Sequence, residues 1–132
     1  IGDKRMIIFV GRVTPSKGAI DIINIVRKLS KEESNIIVVL AGKCDEWYKK
    51  ILISKAVHYG IEKNIMIIGE VEHHKLAKYY SAAEVSILPS HQESFGLVNL
   101  ESQACGTPVV TYDVGGTGSS LLDKKTGFLV LL

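Results

Sequence analysis

Six short runs of nearly unbroken apolar residues punctuate this chain and leave it little choice of fold. They are Met6–Val10, Ile36–Ala41, Ile65–Ile68, Val85–Leu88, Val109–Thr111 and Phe128–Leu132. An apolar run that does not alternate with polar residues marks a strand covered on both faces. Between the runs the rhythm becomes helical. From Ala19 to Leu29, Ile22, Ile23, Val26 and Leu29 share a face, while Asp21, Asn24 and Lys28 point away. A second helix is expected over Glu46–Tyr59, stopped by Gly60, and a third over His73–Ala83, carrying Leu76, Tyr79 and Tyr80. A fourth is expected to begin near Gly96, and Gly115-Gly116 opens a turn or short helix through Leu122. Strands and helices alternating in this way predict an α/β, doubly wound parallel sheet of Rossmann-like form.

Composition narrows the function. A chain of 132 residues, 46% hydrophobic, is one domain with ample core. The net charge of +2 and the scatter of its Lys and Arg residues argue against a nucleic-acid partner. No apolar run is long enough to span a bilayer, and no signal peptide opens the chain. Its two cysteines, Cys44 and Cys105, make neither a disulfide framework nor a metal site and fit a reducing, cytoplasmic setting; Cys105 is expected to be buried. His58, His73, His74 and His91 fall at no metal-ligand spacing, so no metal is expected. The start at Ile1 and the apolar finish at Leu132 suggest part of a larger polypeptide.

In a doubly wound sheet, ligands bind beyond the carboxyl ends of the strands. The loops there are 11–18, 42–45, 69–72, 89–96 and 112–118, most of them bounded by glycine. The fourth leads into the helix near Gly96. On a helical wheel Leu97, Val98, Leu100, Ala104 and Cys105 form one arc, which is expected to face the core, with Asn99, Ser102 and Gln103 opposite. Glu101 falls inside that apolar arc, where a charge is costly unless paired. Glu93 sits just before the helix, and the free amides of roughly Phe95 to Val98 open toward the same mouth. A helix N-terminus attracts an anion, and carboxylates accept hydrogen bonds from hydroxyls. Hydroxyls together with phosphate suggest a nucleotide sugar. The same glutamates would also suit a solvated helix start.

The first loop, which the expected sheet places next to the loop holding Glu93, adds Arg12 and Lys17, which suit phosphate as a fork and as a point charge. Both are expected to be exposed. The loop lacks the G-x-x-x-x-G-K-[ST] spacing of a phosphate loop and the G-x-G-x-x-G of a dinucleotide site, which disfavours common NTPases and NAD enzymes.

Gly11-Arg12, Lys17-Gly18, Pro89-Ser90, Glu93 to Glu101 with its E-x7-E spacing, Ala104 to Val110, Gly115-Gly116 and Thr126 to Val130 follow one another in a familiar order. Together they resemble the C-terminal, donor-binding domain of retaining GT-B glycosyltransferases, the glycosyl transferases group 1 family. The resemblance covers nearly the whole chain. It implies that residues 1–132 are a nucleotide-sugar-binding domain, with an N-terminal acceptor domain and closing helices elsewhere. Arg12, Lys17 and Glu93 would be catalytic, the cations on the donor diphosphate and Glu93 on the sugar hydroxyls. Gly11, Ser94, Phe95, Gly96 and Leu97 would line the donor, Glu101 would hold the ribose, and Val71 would lie near the base. No cofactor beyond the nucleotide sugar is implied. The acceptor would be a glycan or lipid-linked, met at the cytoplasmic face of the membrane, and these residues alone would be inactive. One departure stands out: where the family often places a glutamate after the paired glycines, this chain has Gly118-Ser119-Ser120. A non-catalytic sugar-nucleotide-binding domain and a GT-B epimerase or phosphorylase are the alternatives.

Overall fold

The computed structural model describes residues 1–132. Its strands are β1 (Arg5–Val10), β2 (Ile36–Ala41), β3 (Ile65–Gly69), β4 (Val85–Leu88), β5 (Val109–Tyr112) and β6 (Gly127–Val130), and its helices are α1 (Ala19–Leu29), α2 (Glu46–His58), α3 (Leu76–Ala82) and α4 (Leu97–Ala104). The six strands form one sheet in the order β3-β2-β1-β4-β5-β6, parallel throughout. This is the doubly wound α/β architecture expected from the apolar runs.

Side chains alternate across the sheet, so each central strand feeds two cores. Ile7, Phe9, Val38 and Leu40 pack with Ala19, Ile22, Ile23 and Val26 of α1 and with Tyr48 and Leu52 of α2. Met6, Ile8, Val10, Ile37 and Val39 pack on the other side with Leu76 and Tyr80 of α3. Burying side chains such as Phe9 and Ile22, both 0% exposed, contributes about 1.5–3 kcal/mol each.

The edges depart from expectation. β3 is only partly buried despite its apolar sequence, because it has a neighbour on one side alone. β6 starts one residue earlier than expected, at Gly127, and closes at Val130, leaving Leu131 and Leu132 outside it. Gly127 lies opposite Val109 in the register, where a Cβ would stand 2.0 Å from the Val109 carbonyl oxygen. The third helix is preceded by a 3-10 turn over His73–Lys75, and Gly115-Gly116 lead into another over Thr117–Ser119.

The largest correction concerns α4. Asn99 and Ser102 are 0% exposed, whereas Leu97 is 66% and Leu100 43% exposed. The wheel had these four residues reversed, while Val98 and Cys105 of the expected arc do pack against the core. The inward side chains find polar partners: Asn99 Nδ2 donates to Ser120 Oγ at 2.9 Å, Ser102 Oγ to the Thr107 carbonyl at 2.9 Å, and Gln103 Nε2 to the Ser120 carbonyl at 2.6 Å. Donors bonded in this way can be buried without the usual penalty, although Asn99 Oδ1 is left buried with no partner. Cys105 and Cys44 are both partly exposed rather than buried.

Candidate functional site

β1 and β4 are neighbours, so the loops that follow them meet at one end of the sheet. Their backbones are in contact. A Cβ on Gly18, whose φ is +78°, would stand 1.8 Å from the Pro89 carbonyl oxygen. The His91 amide donates to the Ser16 carbonyl at 2.8 Å, and His91 Nε2 lies 2.7 Å from Asp21 Oδ2, which also accepts from the Tyr112 hydroxyl at 3.0 Å. Burial and that bond to Asp21 raise the Tyr112 hydroxyl above its ordinary range. From the third side, Gly115 presses on the Glu93 carbonyl, and the Gly116 amide donates to the Ser94 carbonyl at 2.9 Å. Glycines expected to approach a ligand here let one loop approach another.

These loops enclose a cleft of about 480 Å³ lined by Gly11, Arg12, Lys17, Glu93, Ser94, Phe95, Gly96 and Leu97, with Val10, Leu88 and Val98 beneath. The structure therefore brings together eight of the ten residues singled out in the sequence. Gly96 caps α4 with φ +81°, and the amides of Phe95, Gly96, Leu97 and Val98 have no partner within the protein. Four unpaired donors at a helix start, beside two cations, are an arrangement that suits an anion.

Arg12 is exposed and unpaired. Lys17 is not. Its Nζ lies 2.8 Å from Glu93 Oε2, with the two side chains 28% and 15% exposed. This corrects the expectation that both cations stand free. Adjacent loops of opposite charge were the available signal, but the partners lie 76 residues apart.

Glu101 and Val71 stand elsewhere. Glu101 lines a second cleft of about 220 Å³ on the flank of α4, with His73, Leu76, Ala77, Tyr80, Ala104 and Cys105. The Tyr80 hydroxyl donates to Glu101 Oε2 at 3.2 Å, and His73 Nδ1 lies 4.0 Å from Oε1. Burial, and then the Glu101 charge, push the Tyr80 hydroxyl far above its ordinary range. Tyr80 thus fixes this carboxylate, a role hidden in a sequence that showed it only as an apolar helix face. Val71, partly buried, packs against the core beneath α3. No group of three or more His, Cys, Asp or Glu side chains is placed to hold a metal ion, and no helix is long and apolar enough to cross a membrane.

The profile of the family described as Glycosyl transferases group 1 matches residues 1–131. The chain belongs to that family. Among curated relatives, D-inositol 3-phosphate glycosyltransferase of Streptosporangium roseum is 36% identical over 97% of this chain and 31% of its own length. Glycogen synthase of Mycobacterium tuberculosis is 32% identical over 92% of this chain and 29% of its own. Among solved structures, sucrose-phosphate synthase of Thermosynechococcus elongatus superposes with a TM-score of 0.85 at 32% identity, covering 98% of this chain and 33% of that one. The C-terminal domain of a glycosyl transferase group 1 family protein (LpcC) from Francisella tularensis superposes with a TM-score of 0.86 at 27% identity, covering 96% of this chain and 67% of that one. This group 1 chain spans about a third of the curated relatives' length and has the fold of a GT-B C-terminal domain.

Proposed function

We propose that this chain is the donor-binding domain of a retaining glycosyltransferase that passes a sugar from a nucleotide sugar to a hydroxyl acceptor. The observation that carries the reading is the convergence in one cleft of four unpaired amides, Arg12, Lys17 and the Glu93 carboxylate. The amides and cations meet the diphosphate, and the carboxylate accepts hydrogen bonds from the sugar. As the bond from sugar to phosphate breaks, negative charge grows on the departing diphosphate. Preorganised donors and cations stabilise it more than they stabilise the intact donor. In this reading the protein's own cations fill the role of a metal, and no cofactor beyond the nucleotide sugar is called for. Glu101, oriented by Tyr80, would take the ribose, with Val71 toward the base. The family resemblance supports retention, an acceptor bound by another part of the polypeptide, and work at the cytoplasmic face of the membrane.

The test is Lys17→Ala in the full-length polypeptide, assayed for donor turnover. Turnover is expected to fall about a hundred- to a thousandfold, the scale of losing one preorganised donor to a developing oxyanion. Turnover at the parent rate would remove Lys17 from the leaving-group site and sink the reading.

A further inference from the structure

We infer that the Lys17–Glu93 ion pair is a latch that makes the cleft prefer an intact nucleotide sugar over the nucleoside diphosphate it becomes. The inference rests on the donor-binding reading above and assigns Glu93 a part in specificity. The pair is the most sheltered in the molecule. Its side chains are 28% and 15% exposed, against 54% and 52% for the equally short Arg5–Glu84 pair. Both ends are held by backbone: the Lys17 amide donates to the Thr14 carbonyl at 3.2 Å, and Gly115 packs on the Glu93 carbonyl.

A diphosphate entering alone finds Arg12 free but must take Lys17 from Glu93. Doing so strands a largely buried carboxylate beside the phosphates, and a charge deprived of its partner in such a place is costly. An intact donor avoids that cost. Glu93 Oε1 has no partner in the protein, and sugar hydroxyls donating to this carboxylate satisfy it in place of the lysine. Lys17 then turns to the diphosphate. The sugar end and the phosphate end of the donor thus help one another through a single exchange of partners. When the sugar departs with the acceptor, its hydroxyls leave Glu93, which recaptures Lys17 and loosens the product.

The experiment is calorimetric titration of the full-length polypeptide with UDP, GDP and ADP and with UDP-glucose, GDP-mannose and ADP-glucose, the best-binding pair then being used throughout. Parent, Glu93→Gln, Lys17→Ala and the double variant are compared. Glu93→Gln is expected to bind the free diphosphate about three- to fivefold more tightly, the scale of releasing one partly solvated ion pair. It is also expected to lose most of its preference for the sugar nucleotide. The gain must be clearly smaller when Lys17 is already alanine, because the cycle then isolates the pair itself. An equal gain in both backgrounds would make Glu93 a merely repelling charge and overturn the latch, as would unchanged or weaker diphosphate binding by Glu93→Gln. Arg12→Ala tests the underlying reading by itself. If its diphosphate affinity equals that of the parent, the phosphates lie elsewhere, whatever Glu93→Gln does. If no nucleotide of the panel binds the parent, the reading and the latch fall together.

Discussion

Helix α1 meets the sheet through Ala19, Ile22, Ile23 and Val26, none more than 1% exposed, and turns Asn24, Arg27 and Lys28 to solvent. Helix α4, on the other face, buries Asn99 and Ser102 at 0% and leaves Leu97 and Leu100 outside. One helix is held by area and the other by direction. Apolar packing is tolerant of small shifts, since its strength follows contact area. A hydrogen bond weakens steeply with angle and distance, so a helix held by Asn99, Ser102 and Gln103 has a fixed rotation and depth. Fixed rotation is what a helix needs if its first amides form half of a binding site, as proposed above. The contrast also explains Glu101. It lies between the exposed Leu97 and Leu100 and the core-packed Val98 and Cys105, and the Tyr80 hydroxyl gives its carboxylate a partner.

The comparison can be broken by mutating each helix and measuring stability and nucleotide affinity separately. Ile22→Ala should have the largest effect on stability, a loss of about 2–5 kcal/mol in a denaturant titration, as expected when a fully buried Ile is truncated. Nucleotide affinity of the folded protein should not change. Asn99→Ala should lose about 1–1.5 kcal/mol with its bond to Ser120 Oγ, which keeps its own bond to the Thr117 carbonyl. It should also weaken nucleoside diphosphate binding, because a Cβ on Gly96 would stand only 3.0 Å from Asn99 Nδ2, so the start of the helix rests on that amide. Were Ile22→Ala to lower affinity and Asn99→Ala to spare it, the division between a packing helix and a positioning helix would be wrong. Ser102→Ala should lose about 1 kcal/mol, the worth of its single bond to the Thr107 carbonyl. Leu100→Ser should move stability by less than about 0.5 kcal/mol, since the side chain is 43% exposed. A loss as large as that of Ile22→Ala would restore the apolar arc to the core.

The sequence was most legible where one physical effect decides. α1 spans the residues that its apolar stripe predicted, and β2 and β4 match their runs. α4 was legible in extent and misread in orientation. Its inward face is bonded to Ser120 and Thr107, residues outside the helix with no periodicity that would flag them. The gathering of Gly11, Arg12, Lys17 and residues 93–97 followed from placing β1 beside β4. The Lys17–Glu93 contact did not, because loop adjacency brings two side chains near without saying which pair. Tyr80 was hidden for a related reason. A tyrosine on an apolar stripe looks like core until the carboxylate at the end of its hydroxyl is seen.

Four glycines, Gly18, Gly42, Gly115 and Gly116, each hold a neighbouring loop's carbonyl oxygen within 2.3 Å of where a side chain would begin. The loops around the cleft consequently cannot vary independently of one another. A substitution at any of these codons displaces two loops together and disturbs the cleft between them. Ser94 and Leu97, by contrast, are exposed on its rim. A library aimed at a new sugar nucleotide would therefore spend its diversity on those rim side chains, on a backbone frame that is inherited whole.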